Sequence, residues 1–507
     1  VAPGEHLQDE NEEGGALPVR RRAVLLPLLA ASLTGCAAPL TKLGEFAEKA
    51  TDKANALLQP AKKRHYANPV VEGWHPAPSV CRVGDDFFLV SSSFEMMPGL
   101  PIHHSRDLVN WRLLTHAVTR DTELLGPGGF SAPTLRFLNG RFQLSATCAT
   151  GTVTMSAREI LGPWTDPQLG TAVSPLIQRE GFLYRLSTQG QGWDSALCVE
   201  RARTPQGPFE PCPDNPIATQ RNNALAPLQM IGKGDLVQAA NGSWWLLVEG
   251  ARLAGRAMPL GFEALLAPVS WNEAGWPVVN EGRPIGLEMD VDQLPPTRPW
   301  LIPPSREEFN GPGLPPHWTF VRSLAGGLWD LTERPGWLRL KGTKTGLADA
   351  TGTPAFVGRR LTGQRLQAST LLDFAPLEKN QQAGFALRMD ENHHAVLRLS
   401  GMPVRRVELA LRTAGKESLI ATAPLGPASF GPVRLQVDAQ ADRYEFSFAG
   451  EGMDWTVLGT VGVSSLAGLD LALDSATRGR GLTVGVYASG FGPMPPADFQ
   501  SFDWVRS

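Results

Sequence analysis

Proton-transfer chemistry needs carboxylates or histidines in defined places, and few residues in this chain stand out for it. Glu95 and Asp194 are the two carboxylates that could act as catalytic groups; their plainer readings are a hydrogen-bonded structural residue and a loop charge. Glu180-Gly181 precedes the apolar run Phe182-Leu183-Tyr184-Arg185-Leu186 and reads as a solvated turn. His103-His104 has no ligand geometry of its own, because adjacent strand residues face opposite sides. Cys81, Cys148, Cys198 and Cys212 show no metal-ligand spacing; one or two disulfides, or buried free thiols, would fit.

The elements that must hold these residues are short strands. Between Asn68 and His116, Pro69, Pro76, Pro78, Gly84, Pro98 and Gly99 punctuate brief apolar runs such as Phe87-Phe88-Leu89-Val90. A turn followed by an aromatic strand recurs from Gly84, Asn139, Glu180 and Asn241. Each unit then closes on a similar phrase, ending at Trp111, Trp164, Phe209 and Trp276. Such a recurrence, with several strands per unit, predicts propeller blades over residues 66–302. Pro303-Pro304 marks a linker, and residues 303–507 alternate as long strands with polar turns, which predicts a two-sheet sandwich. A linker this short and Pro-stiffened should hold the sandwich against the propeller.

Length and composition agree with two β domains: 507 residues with 53 Gly, 43 Pro and 14 Trp suit a turn-rich fold. The formal charge of −3 argues against a nucleic-acid partner. At the N-terminus, Arg20-Arg21-Arg22 precedes an apolar run of about ten residues and then Leu33-Thr34-Gly35-Cys36, an export signal too short to span a bilayer. The last four residues resemble a bacterial lipobox, which implies lipidation of Cys36 and a membrane-anchored protein facing the periplasm or cell surface. Residues 1–36 are thus expected to be leader and signal, and 37–65 a helical tether, with Leu43, Phe46, Ala47, Ala50, Ala54, Leu57 and Leu58 at helical spacing.

The Pro76-Ala77-Pro78-Ser79 segment, the Ser93-Phe94-Glu95 phrase and the closing Asp107-Leu108-Val109-Asn110-Trp111 resemble the opening blade of glycoside hydrolase family 43, of the β-xylosidase and α-L-arabinofuranosidase kind. Phe309-Asn310-Gly311, Gln382-Ala383-Gly384 and Ala497-Asp498-Phe499 resemble that family's concanavalin A-like C-terminal domain. The resemblance implies an all-β chain: a propeller of the five-bladed type followed by a concanavalin A-like β-sandwich. Four units are found here, so one blade is missing or reduced, between Pro167 and Gly181.

Family 43 enzymes invert, which requires two carboxyls roughly 6.5–9.5 Å apart across the sugar. The resemblance places the base between Pro76 and Pro78, where this chain has Ala77. The acid's Glu-Gly-Pro phrase is replaced near Val173-Ser174-Pro175, and no counterpart of the third carboxylate is found. Trp74, His75, Phe94, Phe130 and Phe262 fall at or beside substrate-contact positions. Where some members carry an axial histidine associated with a central metal ion, this chain has Lys233 in Gly232-Lys233-Gly234-Asp235. A lysine ammonium could take the cation's place or point to solvent, and no metal ligand set is otherwise expected. Two functions follow: a degenerate family 43 protein that binds xylan- or arabinoxylan-type oligosaccharides or polysaccharides with little hydrolysis, or an active inverting β-xylosidase/α-L-arabinofuranosidase with relocated carboxylates.

Overall fold

A computed structural model describes residues 63–506 apart from 127, 402–403, 427–430 and 473–478. The expected leader, Cys36 and nearly all of the tether lie outside the described residues. Arg64 and His65, read above as the tether's end, instead belong to the strand Arg64–Ala67, which pairs with Glu288–Val291. Tyr66 anchors this strand: it is buried, and its hydroxyl donates to Leu266 O at 2.8 Å.

Four sheets of four or five strands follow. The first blade is built from Ser79–Val83, Asp86–Val90, Gly99–Ser105 and Arg112–Val118. The second runs Ser131–Leu138, Arg141–Cys148, Gly151–Ala157 and Gln168–Leu169. The third runs Ile177–Arg179, Phe182–Gln189, Ala196–Ala202 and Glu210–Pro211, with Ala218–Thr219 also on its third strand. The fourth sets Leu228–Gln229 and Gly234–Gln238 against Trp244–Arg252, then Phe262–Trp271 and Pro277–Val279. Turn chemistry fixes the registers. Asn139 (φ 53°) and Gly140 (φ 71°) make the two-residue turn between the second blade's first strands, and Glu180 (φ 48°) with Gly181 (φ 76°) does the same in the third. Glu180 is exposed there, as its turn position predicts. Between Leu169 and Ile177 the chain forms no sheet, so the expected missing blade lies where the repeat breaks.

The sandwich packs two sheets. One orders Trp329–Asp330, Leu338–Leu340, Ala497–Arg506, Leu366–Asp373, Val433–Ala439, Arg443–Ala449 and Thr456–Gly462, with Arg306–Glu307 added on Ala497–Arg506. The other orders Ala355–Arg360, Thr483–Ser489, Gln382–Arg388, His394–Ser400, Arg406–Thr413 and Lys416–Pro424. Strict period-2 burial in Leu366–Asp373 and Val433–Ala439 turns one face inward, where Leu372, Leu435 and Phe446 meet Phe385, Leu397 and Val486. Two short helices, Val463–Ala467 and Leu469–Ala472, interrupt a domain in which no helix was expected.

Sandwich and propeller are stitched together. Met96–Met97 of the propeller pairs with Phe320–Val321 of the sandwich in a two-stranded sheet of its own. Trp74 and Met96 share an apolar cluster with Val321, Phe356 and Tyr487. Close backbone approach requires glycine at Gly261, where a Cβ would lie 2.6 Å from Gly481 N.

Candidate active site

The inner strands converge on a cavity of about 200 Å³, and Ala77, Ser79, Arg136, Lys233 and Asp235 are part of its lining. Ala77 adopts φ 52° and donates its N–H to Glu249 Oε2 at 2.7 Å. The other oxygen, Oε1, accepts from Lys233 N at 3.0 Å. Glu249 is 6% exposed and rises from the strand Trp244–Arg252 behind the cavity wall. Gly232 leaves room for it, since a Cβ there would stand 2.3 Å from Oε1. The sequence reading missed this carboxylate. Its signal was a lone charge inside the apolar run Trp244-Trp245-Leu246-Leu247-Val248.

Asp235 is the acidic residue in the lining. Arg136 grips it with two nitrogens, Nη1 to Oδ2 at 2.7 Å and Nη2 to Oδ1 at 3.1 Å. Ser79 Oγ and Val80 N also donate to Oδ2, at 2.7 and 3.1 Å. Burial disfavours the charge on Arg136, but Asp235 more than offsets it and holds the guanidinium's pKa above its ordinary value. Lys233 lines the cavity as an exposed residue, and the cation paired with Asp235 is the half-buried Arg136. This donor set does not fit a central metal ion: Asp235 is matched by Arg136, and Lys233 adds a further positive charge. Among the described residues, no cluster of three or more His, Cys, Asp or Glu could hold one.

Neither candidate catalyst lines the cavity. Glu95 is 4% exposed and faces three sandwich arginines: Arg388 Nη1 at 3.0 Å, Arg480 Nη1 at 3.6 Å and Arg322 Nη2 at 3.8 Å. Burial pushes its pKa up, and the three guanidiniums pull it below the usual glutamate value. It is therefore an anchor between domains. Asp194 ends the three-residue turn Gly192–Asp194, with its side chain 77% exposed and Arg221 Nη1 3.9 Å away.

The expected substrate contacts are also structural. Trp74, at 2% exposure, stacks on Phe94 at 6.0 Å between ring centroids and is capped by Arg360 at 4.1 Å. Phe94 is half-buried in the same cluster. Phe130 is wholly buried in the core of the first two blades, and Phe262 packs with Met230, Met258 and Leu469. None of these rings lines the cavity, because the sandwich covers the face of the propeller that carries Trp74, Phe94 and Phe262. His75 Nδ1 lies 2.6 Å from Arg360 Nη1 and 2.9 Å from Ser91 Oγ, also away from the cavity. Burial first, and Arg360 second, depress the pKa values of His75, His103 and His116, the latter two to about 3. All three are neutral at physiological pH. His103 and His104 face opposite sides as expected: one ring meets His75, the other Phe88 and Trp300. Cys81, Cys148, Cys198 and Cys212 are free and buried.

Comparison with known proteins agrees with this architecture. Residues 66–174 and 173–277 match Glycosyl hydrolases family 43, the match breaking within the connection that replaces a blade. Residues 306–505 match the Beta xylosidase C-terminal Concanavalin A-like domain. The chain is 33% identical over 513 residues to a non-reducing end alpha-L-arabinofuranosidase of Bacteroides ovatus, covering 87% of this chain and 95% of that protein. A solved Bacteroides ovatus structure, described as Xyloglucan PUL GH43B, superposes with a TM-score of 0.81 at 32% identity, covering 88% of this chain and 100% of the other. A xylan beta-1,4-xylosidase from Bacillus halodurans gives 0.79 at 26% identity, covering 87% and 100%. With both domains matched and the sheets in place, this chain belongs to glycoside hydrolase family 43 and carries the family's concanavalin A-like C-terminal domain.

Proposed function

We propose that this protein binds sugars of the xylan or arabinoxylan type in its axial cavity and hydrolyses them little or not at all. The observation that carries the reading is the fate of the carboxylates. The cavity presents Ala77 where a base would stand, and its acidic residue, Asp235, is held by two nitrogens of Arg136. A carboxylate so engaged neither activates water nor donates a proton. Ser187 in the lining offers an exposed hydroxyl to a polyol. Calorimetry with xylose and arabinose should show weak binding, with a dissociation constant on the order of 1 mM. Absence of binding to any pentose would overturn the reading.

Active hydrolysis by relocated carboxylates has one observation in its favour, Glu249 directly behind Ala77. Both its oxygens accept backbone N–H groups, and the one carboxylate of the lining, Asp235, is held by Arg136.

We also propose that the protein is exported and anchored through Cys36, on the strength of the basic, apolar and Leu-Thr-Gly-Cys segments before it. Cys36→Ser should move the protein from the membrane fraction to the soluble fraction. Retention in the membrane fraction would sink the proposal.

A further inference from the structure

A closed propeller buries both faces of every blade, and this one does not. Apolar clusters join the first blade to the second through Phe88, Leu144 and Met155, and the first to the fourth through Leu89, Trp245 and Leu247. Others join the third to the fourth through Leu197, Leu246, Tyr184 and Trp276. Among the described residues no such cluster joins the second to the third. No apolar packing closes the ring there; residues 170–176 cross, with Val173 N donating to Ser145 Oγ and Arg136 Nη2 to Pro175 O, each at 2.9 Å.

The two faces beside the opening are polar. On the third blade, strand alternation puts Arg185, Ser187 and Gln189 opposite the face that packs on the fourth blade, and all three are exposed. On the second, Gln143, Thr152 and Thr154 lie opposite the face that packs on the first. Charge is balanced on the third-blade face, since Arg185 Nε donates to Glu200 Oε1 at 2.6 Å. The opening is continuous with the axial cavity, because Ser187, on the open face, also lines that cavity. Trp193 sits in the turn that joins these strands, 40% exposed. Among the described residues no ring or guanidinium stacks on it, whereas the equally exposed Trp455 is capped by Arg434 at 4.9 Å.

We propose that this opening is a groove for a neutral polyhydroxylated chain, an oligosaccharide longer than the axial cavity can hold, with Trp193 as its stacking platform. Neutral, hydroxyl- and amide-bearing walls beside an uncapped aromatic face match the alternating polar edges and apolar faces of a sugar chain. The inference rests on the axial cavity being a sugar site. It goes beyond that reading in assigning a second surface, and in taking a chain through an opening rather than an end into a pocket.

Calorimetry on the intact chain with xylo- and arabino-oligosaccharides of one to six units tests it. Affinity should rise at least tenfold from monomer to hexamer. That hexamer-to-monomer ratio should collapse toward unity in Trp193→Ala and, independently, in Gln189→Trp, with thermal midpoints as the folding control. Monomer binding with no gain on lengthening overturns the groove and leaves the axial site standing. Failure of every sugar to bind overturns both. A dimer in sedimentation that Gln189→Trp dissociates would show that a second copy fills the opening, and would overturn the sugar groove as well.

Discussion

Turnover of aryl β-xyloside and aryl α-L-arabinofuranoside by the intact chain will sit at the uncatalysed rate, and Ala77→Asp will not raise it measurably. Position 77 tolerates the change: its φ of 52° is one that aspartate adopts more readily than most residues. The new carboxyl would nevertheless enter beside Glu249, which already accepts the residue's N–H at 2.7 Å. Two carboxyls so close cannot both ionise freely, so the restored base would be partly protonated. More decisively, no carboxylic acid in the cavity lining is free to protonate the leaving oxygen, because Asp235 is locked to Arg136. Each missing proton-transfer role is worth about 10² to 10⁴ in rate, so one repair leaves the other deficit in full. Steady-state assays of the two proteins side by side make the comparison. Robust turnover by the unmodified chain, removed by Glu249→Gln, would establish a relocated base and overturn the degenerate reading.

Replacing Glu95 by alanine will destabilise the protein by about 3–5 kcal/mol, the range for breaking a buried ion pair from one side. Arg388 is 1% exposed and has no access to water once its partner is gone. Arg322 and Arg388 would then share only Glu391, at 3.4 and 3.7 Å. Glu95→Gln should fall between, keeping a hydrogen-bond acceptor for Arg388 while removing the charge. The sign with pH follows from the depressed folded pKa. The contribution is complete above the ordinary glutamate value of 4.5 and is lost as pH falls through the lower folded value. Denaturant titration at pH 7 and pH 3 measures both effects. A loss under about 1 kcal/mol at pH 7 would mean that the cluster behaves like a surface pair.

The fold was legible because its signals are local. Asn139-Gly140 and Glu180-Gly181 mark hairpins, and runs such as Leu366–Asp373 carry their burial pattern in their alternation. The loss of the base at Ala77 was legible too, from one phrase. What stayed hidden depended on distance along the chain. The arginines that claim Glu95 stand at 322, 388 and 480, and nothing near residue 95 announces them. Trp74, Phe94 and Phe262 were placed at sugar contacts by the resemblance alone, and the sandwich that covers them begins some 40 to 230 residues later. Arg136 reads as a routine strand residue until the fold brings Asp235 to it.

The strand Met96–Met97 finds its partner only at Phe320–Val321. On a ribosome, this short strand beside the first blade therefore emerges unpaired and waits for more than two hundred further residues. During that interval Met96 and Trp74 stay uncovered and Glu95 is without its arginines. An exposed, apolar strand edge is a template for pairing between nascent chains. Synthesis order thus leaves each half waiting on the other: Glu95 meets its arginines only after the C-terminal domain has been made, and that domain's core takes in Ala257 and Leu260 of the propeller.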